Sequence, residues 1–283
     1  ADENIPCFGP SKAAAQLEGS KDFAKQVMKE AGVPTAHSFT CSTKEEIEKA
    51  LDTFGAPYVV KHDGLAAGKG VVVTNNREEA LTHALQSTRV VIEEYLDGPE
   101  VSLFGISDGT TVISMQPAQD FKRAYDGDKG LNTGGMGAYS PLPWAPKNIE
   151  EEVLQKVLQP TINAMANRGT PFIGLLYAGL AMTLKGIRVI EFNARFGDPE
   201  TQVLLPRLET PLAQLLYAAA TKSLNKFKEL KWSDKSAVTV VLASEGYPSE
   251  PKVDLPITGI KENENTFVYH AGTKLKDGVL HSS

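Results

Sequence analysis

The segment VIEFNARFGDPET, Val189 to Thr201, ends a strand in a carboxylate and an amide two residues apart, Glu191 and Asn193. Side chains alternate faces along a strand, so these two point the same way. Both offer hard oxygen donors, which suit Mg²⁺ and leave positions for waters and phosphate oxygens. The turn Arg-Phe-Gly-Asp-Pro-Glu follows and adds Arg195, Asp198 and Glu200. A solvated strand end accounts for one carboxylate. It accounts less well for a Glu and an Asn on one face beside an acidic, Gly-containing turn. On local chemistry alone, a metal–phosphate site and a solvated strand end both stand.

The 283 residues are enough for two or more domains with cores of their own. Apolar content of 41% and charged content of 23% are those of a water-soluble globular chain. A net charge of −6 without a broad basic patch argues against a nucleic-acid surface and leaves small anionic ligands open. Cys7 and Cys41 cannot form a disulfide framework, so free thiols in a reducing cytoplasm are expected. There is no bilayer-spanning apolar run and no signal-peptide pattern. The five histidines lack metal-ligand spacing. Both ends read as cut: the chain opens without Met on a loop and a short strand, and closes inside the hairpin pattern HAGTKLKDGVLHSS.

Upstream of the opening segment, Leu175 to Leu184 and Ile187 to Asn193 read as a hairpin over Lys185-Gly186. Ser11 to Gly32 reads as helices, with Ser20 as N-cap and Gly32 as stop. Thr43 to Phe54 is a helix with Thr43 and Glu46 as a capping box. Tyr58 to Lys61 and Val71 to Thr74 are strands, Glu78 to Gln86 a helix, and Val90 to Tyr95 a buried strand. Glu100 to Ile106 and Thr111 to Gln116 form a hairpin. Ile149 to Arg168 is a helix kinked by Pro160, and Pro211 to Thr221 another. After Trp232 a strand, Ala237 to Ala243, leads into loops, placing a domain boundary near residues 226–236.

The loop HDGLAAGKG, His62 to Gly70, joins two strands. Gly64, Gly68 and Gly70 let the backbone approach a ligand, and free N–H groups in such a loop cradle phosphate. It is not a Walker A loop: three residues precede Gly68-Lys69, Gly70 follows, and a strand comes next. A flexible hairpin is the plain alternative. Lys61, ending the apolar run YVVK at the loop mouth, favours the anion reading. In VVIEEYLDGPE, Val90 to Glu100, a backbone stretch can meet an adenine edge and Glu100 can accept from ribose hydroxyls, although a solvated turn explains the same acids. QDFKR, Gln119 to Arg123, sets an acid and two bases around an aromatic. Asp126 and Asp128 then hint at a calcium loop, but Leu131 and Gly137 stand where an EF-hand needs Gly and Glu. Asn132, Thr133, Gly134 and Gly135 read as a mobile loop closing over a small polar ligand, or as surface loop. There is no GxSxG and no evident His partner for a nucleophile. A carboxylate pair acting on a sugar would leave Lys61 and the Gly-rich hairpin unexplained.

GSKDFAK, VVKHDGLAAGKGVVV, VIEEYLDGPEVS, QDFKR, NTGGMGAYSP, LLYAGL and VIEFNARFGDPETQ occur in this order. Together they resemble the phosphoribosylamine–glycine ligase (glycinamide ribonucleotide synthetase) family of ATP-grasp enzymes, over nearly the whole chain. The resemblance implies an α+β ATP-grasp fold, two α+β subdomains clasping ATP, with Mg²⁺ or Mn²⁺ as metal. It implies ligation of glycine to 5-phosphoribosylamine in purine biosynthesis. Glycine carboxylate attacks the γ-phosphate, and the amine then displaces phosphate from the acyl phosphate. Carried over, Lys21 and Lys61 contact ATP phosphates, and Gly64, Gly68, Lys69 and Gly70 belong to the covering loop. Glu93, Glu94, Tyr95 and Leu96 meet adenine, Glu100 the ribose, and Glu191 and Asn193 the metal. Lys61, Arg195 and Asp198 are catalytic candidates. Asp120, Lys122, Arg123, Asn132, Thr133, Gly134, Asp198, Pro199 and Glu200 lie on the substrate side.

Departures accompany the match. Phe121 stands where the family commonly has His, Leu131 where a Pro is usual, and Ala194 where a Cys is usual. LLYAGLAM offers no second metal carboxylate. The expected divisions are an N-terminal-domain remnant at 1–10, a core subdomain at 11–32 and 97–226, a lid at 33–96, and a partial C-terminal domain at 227–283. If the molecule is truly this fragment, with most of the N-terminal domain absent and not merely disordered, it is expected to bind ATP but turn over poorly; a monomer partnered by neither nucleic acid nor membrane is expected. Another ATP-grasp carboxylate–amine ligase and a nucleotide-binding module without turnover are the alternatives.

Overall fold

Apolar side chains cover both faces of the central strands, and this double burial decides the layering. A computed structural model describes residues 5–65, 70–127 and 129–283. The strands β1 (Ser38–Cys41), β2 (Tyr58–His62), β3 (Val71–Thr74) and β4 (Val90–Glu93) form an antiparallel sheet in the order β1-β4-β2-β3. Helix Lys44–Phe54 begins on the expected capping box of Thr43 and Glu46. Helix Arg77–Ala84 begins on Asn76, whose side chain accepts from the N–H groups of Glu78 and Glu79. Ile47, Ala50, Leu51, Ala80 and Ala84 bury against Val60, Val90 and Ile92 of this sheet.

Farther along run β5 (Glu100–Asp108), β6 (Val112–Ser114), β7 (Gln119–Tyr125), β8 (Lys129–Ser140), β9 (Ile173–Thr183) and β10 (Gly186–Asn193). A second antiparallel sheet has the order β10-β9-β5-β6. Its side chains alternate by the strand period of two. Val101, Leu103, Leu176, Ala178 and Leu180 join the cluster built with helix Lys21–Ala31 and the helical run from Ile149 to Asn167. Phe104, Ile106, Leu175 and Tyr177 face the other way, onto helix Leu212–Ala220.

At Pro160 the expected helix changes its winding. The turn Leu154–Leu158 just before it is a π-helix, in which Gln159 N–H bonds back to the Leu154 carbonyl. A proline removes a regular i−4 bond, and a wider turn is one way to absorb the mismatch. The run 126–137 also departs from expectation. Apart from Asp128, which lies outside the described residues, most of it is strand, and β8 neighbours β7 in a sheet. The Thr133 hydroxyl donates to the Lys122 carbonyl across the pair at 2.8 Å. Glycines weaken a strand by entropy without forbidding it.

Contacts divide the chain into two units. One holds the residues up to Asp120 together with Gly137–Thr239, the other Phe121–Met136 with Val240–Ser283. The first contains both sheets described above. The second contains the outer parts of β7 and β8 and a hairpin of β12 (Thr273–Lys276) and β13 (Val279–Ser282); β11 (Ala237–Val240) precedes the latter two in the chain. Asp277 and Gly278 both take positive φ, 51° and 77°, as a two-residue hairpin turn requires. Among the described residues no helix is long and apolar enough to cross a membrane.

Gly98 joins the two sheets of the first unit. Its φ is +138°, and a Cβ there would lie 2.2 Å from the Met182 carbonyl oxygen. Gly98→Ala is expected to cost about 2–3 kcal/mol, from backbone strain and overpacking together. Urea unfolding of the two proteins checks this, and an unchanged midpoint would show that the turn relaxes freely.

Candidate functional site

Three chain segments meet around the Lys61 ammonium. Lys61 lies in β2, ahead of the glycine loop, and is 4% exposed. It forms an ion pair with Glu93, the last residue of the paired strand β4. It also donates to the Ile190 carbonyl at 2.9 Å. The register of β10 on β9 breaks between Val189 and Glu191, which marks a bulge. A bulged residue drops out of the ladder, and Ile190 turns its carbonyl to this ammonium.

Glu191 and Asn193 follow on β10, opposite Gly179 and Tyr177 of β9. Both are half-buried, while Phe192 between them is buried in the core, so the amide and the carboxylate share the open face as expected. Gly179 contributes no side chain here, and among the described residues no trio of His, Cys, Asp or Glu forms a closed metal cage. That donor set fits Mg²⁺, which takes one or two protein oxygens and keeps waters and phosphate oxygens around itself.

Glu93 has a second cationic partner, Lys25 of helix Lys21–Ala31. Burial pushes the Glu93 carboxyl up, but the adjacent Lys61 and Lys25 ammoniums outweigh it and hold the group below the ordinary carboxylate range. Burial lowers Lys25, against the attraction of Glu93. The start of the loop is tied to the same helix. Asp63 accepts from the Ser20 hydroxyl at 2.9 Å and from the Asp22 N–H at 3.2 Å. Arg89 pairs with both Asp22 and Asp63. Lys21 reaches the Gly64 carbonyl at 3.4 Å, and His62 N–H donates to the Gly70 carbonyl at 2.7 Å.

After β10, Glu18 accepts from Ala194 N–H at 2.8 Å and lies 3.6 Å from Arg195. Asp198 is exposed and accepts from Gln202 at 2.6 Å; Pro199 is buried. Glu200 is also buried, and accepts from Ser102 at 2.9 Å, with Tyr177 hydroxyl 2.9 Å from the same Ser102 oxygen. Its position makes it an anchor for the turn that presents Arg195 and Asp198.

Residues 19–201 match the model of the phosphoribosylglycinamide synthetase ATP-grasp (A) domain, and residues 237–283 that of the C domain of the same synthetase. The chain belongs to the phosphoribosylglycinamide synthetase family. A phosphoribosylamine–glycine ligase of Streptomyces coelicolor is 62% identical over 99% of this chain and 68% of its own length. The chain thus spans about two thirds of that relative. The crystal structure of phosphoribosylamine–glycine ligase from Thermotoga maritima superposes with a TM-score of 0.88 at 33% identity, covering 97% of this chain and 71% of that one. The biotin carboxylase domain of a Hydrogenobacter thermophilus 2-oxoglutarate carboxylase, solved with MgADP, shares the fold at a TM-score of 0.71 and 16% identity, over 99% of this chain and 65% of that one.

In this synthetase-family chain, contacts within the first unit link Lys61 to Glu93 and to the residue before Glu191, Lys21 to Gly64, and Gly70 to His62, while Asn193 shares the open face of β10 with Glu191. Glu94 follows Glu93 and accepts from His37 N–H at 3.0 Å. Tyr95 is exposed, Leu96 half-buried, and Glu100 opens β5 opposite Ala181. Gly68 and Lys69 lie outside the described residues. Asp120 ends the β7 stretch that belongs to the first unit. In the second unit, Arg123 donates to the Gly130 carbonyl at 2.9 Å and Gly134 N–H to the Tyr247 hydroxyl at 3.3 Å; Lys122 is half-buried and Asn132 exposed.

Sequence reading missed Lys25, Asp63, Glu18 and Ser102. Lys25 carried a signal: it stands four residues after Lys21, on the same helix face. Ser102 carried a fainter one, as a lone hydroxyl inside the apolar run of β5.

The depressed Glu93 carboxyl makes stability depend on pH in a definite sense. A carboxyl lowered on folding contributes fully above its unfolded value, and the contribution disappears as pH falls through the folded value. As pH falls through and below the ordinary carboxylate range, wild type should lose stability more steeply than Glu93→Gln in denaturant titrations. Parallel curves would mean that Glu93 is not held ionised.

Proposed function

We propose that this chain carries out the phosphoribosylamine–glycine ligase reaction: ATP, glycine and 5-phosphoribosylamine give glycinamide ribonucleotide, ADP and phosphate. The observation that carries this reading is the bulge of β10. It sets the Lys61 ammonium against the Ile190 carbonyl, one residue before Glu191. This sets a cation for phosphate, Lys61 of β2, against the end of β10 that carries two oxygen donors for a divalent ion, an arrangement suited to phosphoryl transfer from a nucleotide.

The reaction runs in two balanced steps. A glycine carboxylate oxygen attacks the γ-phosphorus, ADP leaves, and glycyl phosphate forms. The amine nitrogen of phosphoribosylamine then attacks the acyl carbon, the C–O bond to phosphate breaks, and the nitrogen loses its proton. No enzyme nucleophile is needed, so catalysis rests on positioning and charge. Lys61 and Lys21 neutralise phosphate oxygens, and the loop from Gly64 to Gly70 covers them. Glu93, Glu94, Tyr95 and Leu96 offer backbone groups to adenine, and Glu100 accepts from ribose. Mg²⁺ or Mn²⁺ held by Glu191 and Asn193 would supply further charge neutralisation on the phosphates. Arg195 and Asp198 act at the reacting groups. Asp120, Lys122, Arg123, Asn132, Thr133 and Gly134 are assigned to glycine and phosphoribosylamine recognition on the family resemblance.

Calorimetric titration of ATP with Mg²⁺, and ADP release with both co-substrates, test this reading. Glu191→Ala and Asn193→Ala are each expected to reduce turnover by roughly 10²-fold or more, with Mg²⁺-dependent ATP binding weakened in parallel. Tight, metal-dependent ATP binding unaffected by Glu191→Ala would remove the metal assignment. Faster turnover with a different small carboxylate than with glycine would replace the substrate.

A further inference from the structure

The buried cluster around Glu93 holds more positive than negative charge. Lys25, Lys61 and Glu93 have side chains only 12%, 5% and 3% exposed. Two ammoniums face one carboxylate, so the cluster carries one excess positive charge. The neighbouring pair, Arg188 and Glu94 at 3.9 Å, is balanced and changes nothing in this count. Burying an uncompensated charge is costly, and the excess therefore calls for a second anion.

Donor counting shows which lysine is left to meet it. An ammonium has three N–H groups. Lys25 donates to the Thr35 hydroxyl at 2.9 Å and the Ala36 carbonyl at 3.1 Å, and its remaining N–H side faces Glu93 in the ion pair. Thr35 is itself fixed, donating to the Val189 carbonyl at 2.6 Å. Lys61 donates one to the Ile190 carbonyl and turns another side to Glu93 in their ion pair. Among the described residues one N–H of Lys61 remains without a partner.

We infer that Lys25 is a positioning residue that sets the phosphate affinity of Lys61 without touching substrate, by taking half of Glu93. With Lys25 in place, Glu93 is shared, and Lys61 keeps both a free donor and the surplus charge for the nucleotide's phosphates. Without it, the whole carboxylate charge falls on Lys61 and the cluster becomes neutral. The inference rests on the reading of this site as the ATP site.

The test compares binding of ATP, ADP, AMP and adenosine to wild type, Lys25→Met, Glu93→Gln and the double variant, with thermal unfolding to confirm that each is folded. Lys25→Met is expected to bind ATP at least about tenfold more weakly, with a loss that shrinks as phosphates are removed and vanishes for adenosine. The double variant restores the surplus charge and should recover ATP affinity relative to Lys25→Met. A purely structural Lys25 would weaken all four ligands alike, and the double variant would be worse still; either result overturns the inference. Should Lys25→Met not fold, Glu93→Gln decides alone: ATP binding at least as tight as wild type supports the inference, and weaker binding overturns it. Wild type that binds no nucleotide refutes the ATP reading itself, whereas wild-type binding with unchanged Lys25→Met refutes only the role of Lys25.

Discussion

The ion pair between Lys61 and Glu93 is the constraint on which the site depends. Both residues belong to paired strands of the smaller sheet, β2 and β4, and the same ammonium reaches the Ile190 carbonyl on β10 of the larger one. One cation thus ties two separately packed sheets at the residue before Glu191. A buried ion pair adds little net stability, because desolvation offsets most of the attraction. Its value lies in geometry: breaking it would leave a buried charge alone, so alternatives to this arrangement are expensive.

A second polar tie holds the same sheet from the loop side. Asp63 sits at the N-terminus of helix Lys21–Ala31, where free N–H groups and the helix dipole favour a carboxylate. Arg89 joins Asp63 to Asp22. The base of the glycine loop is therefore pinned at His62 and Asp63, and the helix so engaged is the one that carries Lys21 and Lys25. Loop and lysines are set by a single helix end.

Much of the fold was legible because its signals are local. Ser20, Gly32 and the Thr43–Glu46 box terminate helices through hydrogen bonds within a few residues of themselves. The face shared by Glu191 and Asn193 follows from the strand period alone. The strand character of Lys129–Ser140 was hidden, because glycine content speaks for a loop while the gain from pairing with β7 lies outside the segment itself. The anchoring role of Glu200 was hidden for the same reason: Ser102 and Tyr177, which engage its turn, stand 98 and 23 positions away on β5 and β9. Lys25 was visible as a residue on the right helix face. What it does depends on Glu93 being shared, and only the packed structure shows that.

The two kinds of cohesion in the first unit have different consequences for a charged ligand. The larger sheet is covered by apolar side chains on both faces, and such packing is close and insensitive to charge. Glu191 and Asn193 inherit that rigidity from Phe192, which is buried between them. The ties to the smaller sheet are instead ionic, through Lys61, Glu93, Asp63 and Arg89. On the proposed nucleotide reading, an incoming polyphosphate would meet the donor and surplus charge that Glu93 leaves on Lys61, and would act on these ionic ties and not on the apolar layer. A ligand can shift an arrangement only by its differential interaction with the alternatives. On that reading the elements able to respond to nucleotide charge would be the strand ends of the smaller sheet, while Glu191 and Asn193 on β10 are held by the core.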